Sequence, residues 1–242
     1  MPIALAAVLV LVPVVTTAET PVDRARALIA TYHENPRRID EARDLLEAAI
    51  ARERPVDAVT LLSRVYFLAG EVRATSAEDK LAAFGRGREL GRLAVDLAPR
   101  SEEAHVWYAL NTGRWGQTKG MMRSLFLLPT IREELDTIFA INPRSVRGHA
   151  LAGNLYFELP AMLGGDRKKA EEHFRTALQV DPHFTVLRID LARLLVAEGR
   201  VADARRELER VVNETAPTSV ADWTMRDRPR ARTRLDELRD RK

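Results

Sequence analysis

The residues best suited to hold a ligand lie within one stretch of thirteen residues in the middle of the chain. They comprise two of the three tryptophans, an amide, a guanidinium and an ammonium group, namely Trp107, Asn111, Arg114, Trp115 and Lys119. In a helix, spacings of four and three place Trp107, Asn111 and Arg114 on one face, with Asn111 projecting toward a ligand. An aromatic ring beside a guanidinium can hold a carboxylate-bearing ligand. The alternative is that Trp107 packs between helices while Arg114 and Lys119 are solvated.

A second group of polar and aromatic residues follows. Asn154 and Tyr156 are predicted to line the same groove, which would hold an apolar, carboxylate-bearing ligand or a segment of a partner protein. The loop after them combines a proline that ends a helix, two glycines that permit positive φ and an aspartate that can cap the next helix. These loop residues are Pro160, Gly164, Gly165 and Asp166. Their pattern predicts a structural role.

Residues for catalysis or metal binding are sparse. The absence of cysteine excludes disulfides, thiol catalysis and thiolate metal sites. The five histidines are scattered, and the single Glu102-x-x-His105 spacing lacks the second copy and the further glutamates that a di-iron bundle needs. Serine-hydrolase, Walker-type and dinucleotide-binding motifs are missing as well. We therefore expect a binding protein with no catalytic residues, no cofactor and no metal.

The elements that must position these residues follow from a recurring helix pattern. Small or apolar residues at spacings of four and three, then a proline, occur at Ala170, Phe174, Ala177 and Pro182. This pattern is typical of the second helix of a tetratricopeptide repeat, where small residues let the paired helix approach and proline ends the helix. Weaker copies end at four other prolines, Pro55, Pro99, Pro143 and Pro217. The sequence predicts an all-α, right-handed superhelical solenoid of five tetratricopeptide-type helix pairs over residues 19–219.

The spacing of these prolines indicates insertions. The intervals run from 35 to 44 residues, whereas an uninterrupted repeat has about 34. The extra residues are predicted to form loops between paired helices, at 71–79, 113–129 and 159–166. Such loops commonly form the binding surface of a solenoid, although neutral length drift explains 71–79 equally well. Residues 220–242 are predicted to form a polar helix that caps the last pair.

Charge and the N-terminal segment bear on partners and location. The net charge is only +3, from 38 basic and 35 acidic side chains, so no nucleic-acid partner is expected. Residues 2–15 are apolar, and small residues lead to a cleavage point after Ala18. We expect 1–18 to be a signal peptide of a periplasmic or otherwise exported protein, or an uncleaved anchor that associates it with the inner membrane. The alternatives are a misassigned start and a buried first helix.

The third to fifth units resemble the T-component (TatT-like) family of TRAP transporters, which are periplasmic tetratricopeptide proteins. The specific string is Pro160-x-x-x-Gly164-Gly165-Asp166-x-x-x-Ala170-x-x-His173-Phe174-x-x-Ala177-Leu178. Further matching residues are Asn111, Arg114-Trp115, Lys119-Gly120, Leu128-Pro129, Asn142-Pro143 and Gly153. The resemblance implies a homo-oligomeric accessory protein that holds a small hydrophobic ligand or docks a periplasmic solute-binding protein. Members of that family are commonly lipoproteins, whereas this chain has no cysteine to acylate.

A second interpretation is a generic tetratricopeptide scaffold that mediates protein–protein interactions in the cell envelope. Eukaryotic microtubule-dynamics regulators of the same repeat type share a stretch similar to Gly113-Arg114-Trp115, so this stretch alone does not identify the transporter family. Binding is expected to concentrate in the third and fourth units. Those units carry two of the three tryptophans and the two most distinctive predicted loops.

Overall fold

The computed structural model describes residues 19–239, and every regular element within them is helical. The all-α class predicted from the sequence is therefore confirmed. The predicted signal peptide, residues 1–18, lies outside the described residues. Within the described part of the chain, no helix combines the length and the apolar character needed to cross a membrane.

Within residues 19–239, ten helices form five consecutive pairs. The first helices of the pairs are α1 (Pro21–Ala30), α3 (Val56–Leu68), α5 (Glu102–Lys119), α7 (Val146–Glu158) and α9 (Thr185–Ala197). The second helices are α2 (Arg38–Ile50), α4 (Ala77–Leu97), α6 (Met121–Ile141), α8 (Arg167–Val180) and α10 (Val201–Val212). A final segment, called the C-terminal helix, consists of α11 (Val220–Asp222), a π-helical turn (Trp223–Asp227) and α12 (Arg228–Glu237). Helices pack mainly on their neighbours along the chain, as in a solenoid.

Short polar side chains fix where several helices begin. Ser101 and Ser145 accept hydrogen bonds from backbone amides in the first turns of α5 and α7. At α4, Ser76 and Asp79 form a reciprocal capping box. The amides of a first turn have no partner within the helix, so these side chains stabilise each helix at its start.

Two of the three predicted loops are helical, and that part of the prediction is wrong. Residues 113–129 complete α5 and begin α6, and only Gly120, with a φ of 107°, separates the two helices. Residues 71–79 continue α3 through a π-helical turn, Ala69–Arg73, and then enter α4. Isolated glycines cost a helix about 1 kcal/mol each, which packing against a neighbouring helix can offset. The insertions therefore lengthen helices instead of forming loops.

The third predicted loop, residues 159–166, does connect α7 to α8 without regular α-helix. Gly164 has a φ of 91°, a conformation that favours glycine. A Cβ on Gly165 would lie 1.8 Å from the carbonyl oxygen of Leu159, so no side chain fits at this position. Asp166 accepts a hydrogen bond from a backbone amide and caps α8. The loop fixes the turn between the two helices of the fourth pair.

The hydrophobic core is concentrated at the two ends of the array. One large cluster lies mainly in the first two pairs, and another lies in the last two. The C-terminal helix belongs to both clusters, because Ala221 packs into the first while Ala231 and Leu238 pack into the second. This helix covers α10 as a cap would. It also contacts the opposite end of the array, which the sequence did not predict.

In each of the last three pairs, the same set of side-chain contacts links the first helix to the second. A side chain in the first turn of the first helix contacts the carbonyl oxygen of the proline six residues earlier and a side chain on the second helix. The three sets are His105 with Pro99 and Glu134, His149 with Pro143 and His173, and Arg188 with Pro182 and Glu207. The middle set differs because His173 stands where the others have glutamate.

This imidazole pair predicts a pH dependence of stability. The Nδ1 atoms of His149 and His173 are 2.8 Å apart, so the N–H of one ring donates a hydrogen bond to the other ring. Burial and then the charge of His149 lower the pKa of His173, with Lys169 acting in the same direction and Glu172 opposing it. The unfolded chain takes up the proton first as the pH falls. The contribution of this imidazole pair to the free energy of unfolding should therefore decrease as the pH drops below about 6.5.

Urea denaturation from about pH 8 to about pH 5 measures this dependence. His173→Glu places a carboxylate where the other two sets have one. It should remove the loss of unfolding free energy that the imidazole pair causes at low pH. His183→Gln serves as the control, since His183 is exposed and bonds Glu214 away from this pair, and it should keep the loss. Identical pH profiles for His173→Glu and the wild type would contradict the prediction.

Candidate functional site

The inner face of the array is defined by four residues from successive pairs, Arg64, Trp107, Arg147 and Phe184. Trp107 is 3% exposed, and its ring packs on Phe67 of α3 at a centroid distance of 5.6 Å. Its indole Nε1 donates a hydrogen bond to Oε1 of Glu103, 3.2 Å away. The orientation of the indole is therefore fixed by both packing and hydrogen bonding.

Two guanidinium groups lie against this indole. The Cζ atoms of Arg64 and Arg147 are 5.6 Å and 5.2 Å from the centroid of the Trp107 ring, and Arg147 is also 5.2 Å from the ring of Phe184. Both arginines are partly exposed. Among the described residues, no carboxylate forms an ion pair with either of them. Burial and then the positive charge of Arg64 lower the pKa of Arg147.

The C-terminal helix lies beside this inner face and connects the two ends of the array. Glu71 forms one ion pair with Arg114 of α5, at 2.9 Å, and another with Arg226 of the C-terminal helix. Arg226 also pairs with Asp222, which accepts a hydrogen bond of 2.8 Å from the hydroxyl of Tyr32. Burial alone would lower the pKa of Arg226, but Glu71 and Asp222 outweigh it and leave that pKa raised. These bonds join the first and second pairs to the last helix of the chain.

A second buried contact holds the C-terminal helix against α9. The carboxylate of Asp227 accepts a hydrogen bond of 2.7 Å from the hydroxyl of Thr185. Asp227 is 2% exposed, and burial raises its pKa to about 6 in spite of this hydrogen bond. The C-terminal helix is thus anchored to both ends of the array through polar groups as well as apolar ones.

The residues predicted from the third unit do not converge on one site. Trp107, Asn111 and Arg114 do share a face of α5, but Asn111 is fully buried and donates to the backbone oxygen and the hydroxyl of Ser63. The expectation that Asn111 projects toward a ligand is therefore wrong, because this amide joins α5 to α3. Arg114 belongs to the ion-pair cluster around Glu71.

The remaining predicted residues point to different neighbours. Trp115 lies beside Arg88 of α4, and the exposed Lys119 is 5.6 Å from the same ring. Asn154 donates a hydrogen bond of 2.9 Å to Asp190 of α9. Tyr156 stacks on His173 of α8, on the side of α7 that faces its own pair. Of the seven predicted binding residues, only Trp107 belongs to the inner face.

Sequence reasoning missed most of the inner face. Arg64 could have been found, since it is the only charged residue in the apolar run 58–70, and a lone cation in a buried helix is unusual. Arg147 and Phe184 carried no such signal. Arg147 reaches Trp107, and Phe184 reaches Arg147, only because successive pairs curve around the same space. Within the described residues, no group of three or more His, Cys, Asp or Glu side chains could hold a metal ion.

Comparisons with known proteins cover almost the whole described chain. Residues 22–239 match the profile of a family described as regulator of microtubule dynamics protein 1-3. Regulator of microtubule dynamics protein 3 of Rattus norvegicus is 25% identical over 134 residues, which are 55% of this chain and 28% of the rat protein. The protein of the same name from Bos taurus is 25% identical over 137 residues, 57% of this chain and 28% of that protein.

A solved structure shows the fold. A thermophilic TPR protein of Thermus thermophilus is similar with a TM-score of 0.64, at 20% identity, over 88% of this chain and 98% of that chain. The predicted helical solenoid of tetratricopeptide-type pairs is therefore confirmed.

Proposed function

Because this chain belongs to the regulator of microtubule dynamics protein 1-3 family, we propose that it is a non-enzymatic adaptor that binds a segment of a partner protein on its inner face. Tetratricopeptide arrays commonly bind protein partners on extended concave surfaces. The match covers 28% of the rat and bovine relatives. The proposal therefore takes from them the role of an interaction protein and not a microtubule partner.

One observation carries this proposal. In the inner face, partly exposed Arg64 and Arg147 lie against Trp107, and partly exposed Phe184 lies against Arg147. These four residues come from four successive pairs. Aromatic and arginine side chains are enriched at protein–protein interfaces, where they dominate the binding energy. A surface built from several repeats also suits an extended segment, since each pair can contact a different part of it.

Several finer predictions from the sequence stay predictions. These are the accessory role in a TRAP transporter, export to the periplasm, a small hydrophobic ligand and a homo-oligomer. The string that carried the transporter resemblance includes Gly164, Gly165 and Asp166, which shape the turn between α7 and α8. Because a structural requirement accounts for these residues, they fit a general adaptor as well as a transporter accessory protein.

Site-specific photo-crosslinking tests the proposal. We expect p-benzoylphenylalanine in place of Phe184 to capture a defined partner in the cells that make this protein. The matched control carries the same group in place of Phe126, a phenylalanine of α6 that is 73% exposed. A partner captured at position 126 and not at position 184 would place binding on another surface and overturn the proposal.

A further inference from the structure

We propose that Arg64 and Arg147, called the inner arginine pair, bind a carboxylate of an acidic segment in the partner protein. This inference rests on the proposed function and specifies the chemistry of the bound segment. The site consists of the two guanidinium groups, the indole of Trp107 between helices α3 and α7, and the ring of Phe184 beside Arg147.

Within the described residues, the lack of an anionic partner distinguishes this pair from Arg226 and Arg188, two other largely buried arginines. Arg226 pairs with Glu71 and Asp222, and Arg188 pairs with Glu207. Neither member of the inner arginine pair forms such an ion pair within the described residues. Burial, and then the repulsion between the two cations held near one ring, lowers the pKa of Arg147. Cation–π contact with the indole offsets part of this repulsion, and the positive charge that remains without a counter-ion is typical of an anion-binding site.

Nearby carboxylates are engaged with other groups. Glu103 accepts the hydrogen bond of the Trp107 indole, and Asp222 is held by Tyr32 and Arg226. Asp181 accepts hydrogen bonds from the hydroxyl of Thr218. All three acids raise the pKa of Arg147 through space but none of them reaches it for an ion pair. The N–H groups of the inner arginine pair are thus left for an anion from outside the chain.

The chemistry of the site favours a carboxylate over a phosphate. A guanidinium that stacks on an indole keeps the N–H groups along its edge free, and these match two carboxylate oxygens. The three neighbouring acids would repel a dianion more strongly than a monoanion. The ring of Phe184 offers an apolar contact to the residue next to the carboxylate. These features describe an acidic segment that also carries an apolar side chain.

Titration with two peptides tests this inference. The probe is acetyl-Phe-Glu-Asp-Glu amide, and the matched neutral peptide is acetyl-Phe-Gln-Asn-Gln amide. We expect the acidic peptide to shift the indole NMR signal of Trp107, assigned with Trp107→Phe, and the neutral peptide to leave it unchanged. Arg64→Gln and Arg147→Gln should each weaken binding by about tenfold or more, the usual cost of losing one charge-assisted hydrogen bond.

Arg92→Gln is the matched control, because Arg92 lies 6.0 Å from the ring of Tyr108 but is paired with Asp96 outside the inner face. It removes the same charge and should not change binding. Circular dichroism establishes that each variant keeps its helices, and Arg147→Lys, which retains the charge without the planar fork, should lose only part of the affinity.

Three outcomes would overturn the inference. They are equal binding of both peptides, unchanged affinity in both arginine variants, and displacement of the acidic peptide by inorganic phosphate more effectively than by acetate. If crosslinking at position 184 succeeds while the acidic peptide fails to bind, the carboxylate site falls and the adaptor function stands. If the peptide binds but crosslinking captures no partner at position 184, the adaptor function falls and the carboxylate site stands.

Discussion

Arg226→Ala should lower the free energy of unfolding by about 3 kcal/mol, the cost of breaking a buried ion-pair network. The side chain of Arg226 is 16% exposed, and so is the side chain of its ion-pair partner Glu71. The substitution leaves Glu71 with Arg114 alone and removes the cation beside Asp222. Because these bonds join the last helix to the first two pairs, their loss also weakens the contact between the two ends of the array.

The shape of the unfolding curve should change as well. The two large hydrophobic clusters lie at opposite ends of the array, and the C-terminal helix is packed into both. In a repeat protein, stability depends on contacts between neighbouring units. Removing the ion pairs that join the C-terminal helix to the first two pairs therefore allows each end to unfold on its own. We expect one transition for the wild type and two for Arg226→Ala in guanidinium titrations followed by circular dichroism.

Arg92→Ala provides the matched control for this experiment. Arg92 forms an ion pair with Asp96 at the same four-residue spacing as Arg226 and Asp222, but it is 60% exposed. Exposed pairs of this kind contribute less than about 1 kcal/mol. Equal losses of unfolding free energy in both variants would mean that the ion pairs of Arg226 contribute no more than a surface ion pair does.

Gly91→Ala should lower the free energy of unfolding by a similar amount, about 3 kcal/mol, through overpacking. A Cβ at this position of α4 would lie 2.7 Å from the Cα of Tyr108 and 2.9 Å from its backbone nitrogen. Since backbone atoms cannot rotate away as a side chain can, α4 and α5 must separate. That separation disturbs the helix that carries Trp107.

Gly113→Ala should instead raise the free energy of unfolding. Gly113 lies within α5, and a Cβ there would meet only the Cδ1 of Ile131 at 3.8 Å, an ordinary contact. Replacing a helical glycine by alanine then stabilises by about 0.5 to 1 kcal/mol. Chemical denaturation of both variants measures the contrast. An unchanged stability in Gly91→Ala would show that the close approach at Gly91 does not limit side-chain size, and a loss of stability in Gly113→Ala would contradict the predicted gain.

The candidate site was only partly predictable from the sequence. Trp107 was singled out for its residue type and lies in the inner face, and spacing correctly placed Asn111 and Arg114 on its face of α5. Spacing does not reveal what a helix face meets. That face meets α3, which buries Asn111 against Ser63 and leaves Arg114 beside Glu71. The partners of Trp107 in the inner face come from other pairs and could not be deduced from α5 alone.

The sequence by itself determined the helix pairs, because amphipathic spacing, small residues at close contacts and terminal prolines act over a few residues. Only the tertiary structure decided how far the array curves, since small rotations between neighbouring pairs add up along a solenoid. This curvature brings Asp222 to Tyr32 across 190 residues of sequence. It also decides which arginines meet a carboxylate, as Arg226 does, and which form no ion pair with any described residue, as for Arg64 and Arg147.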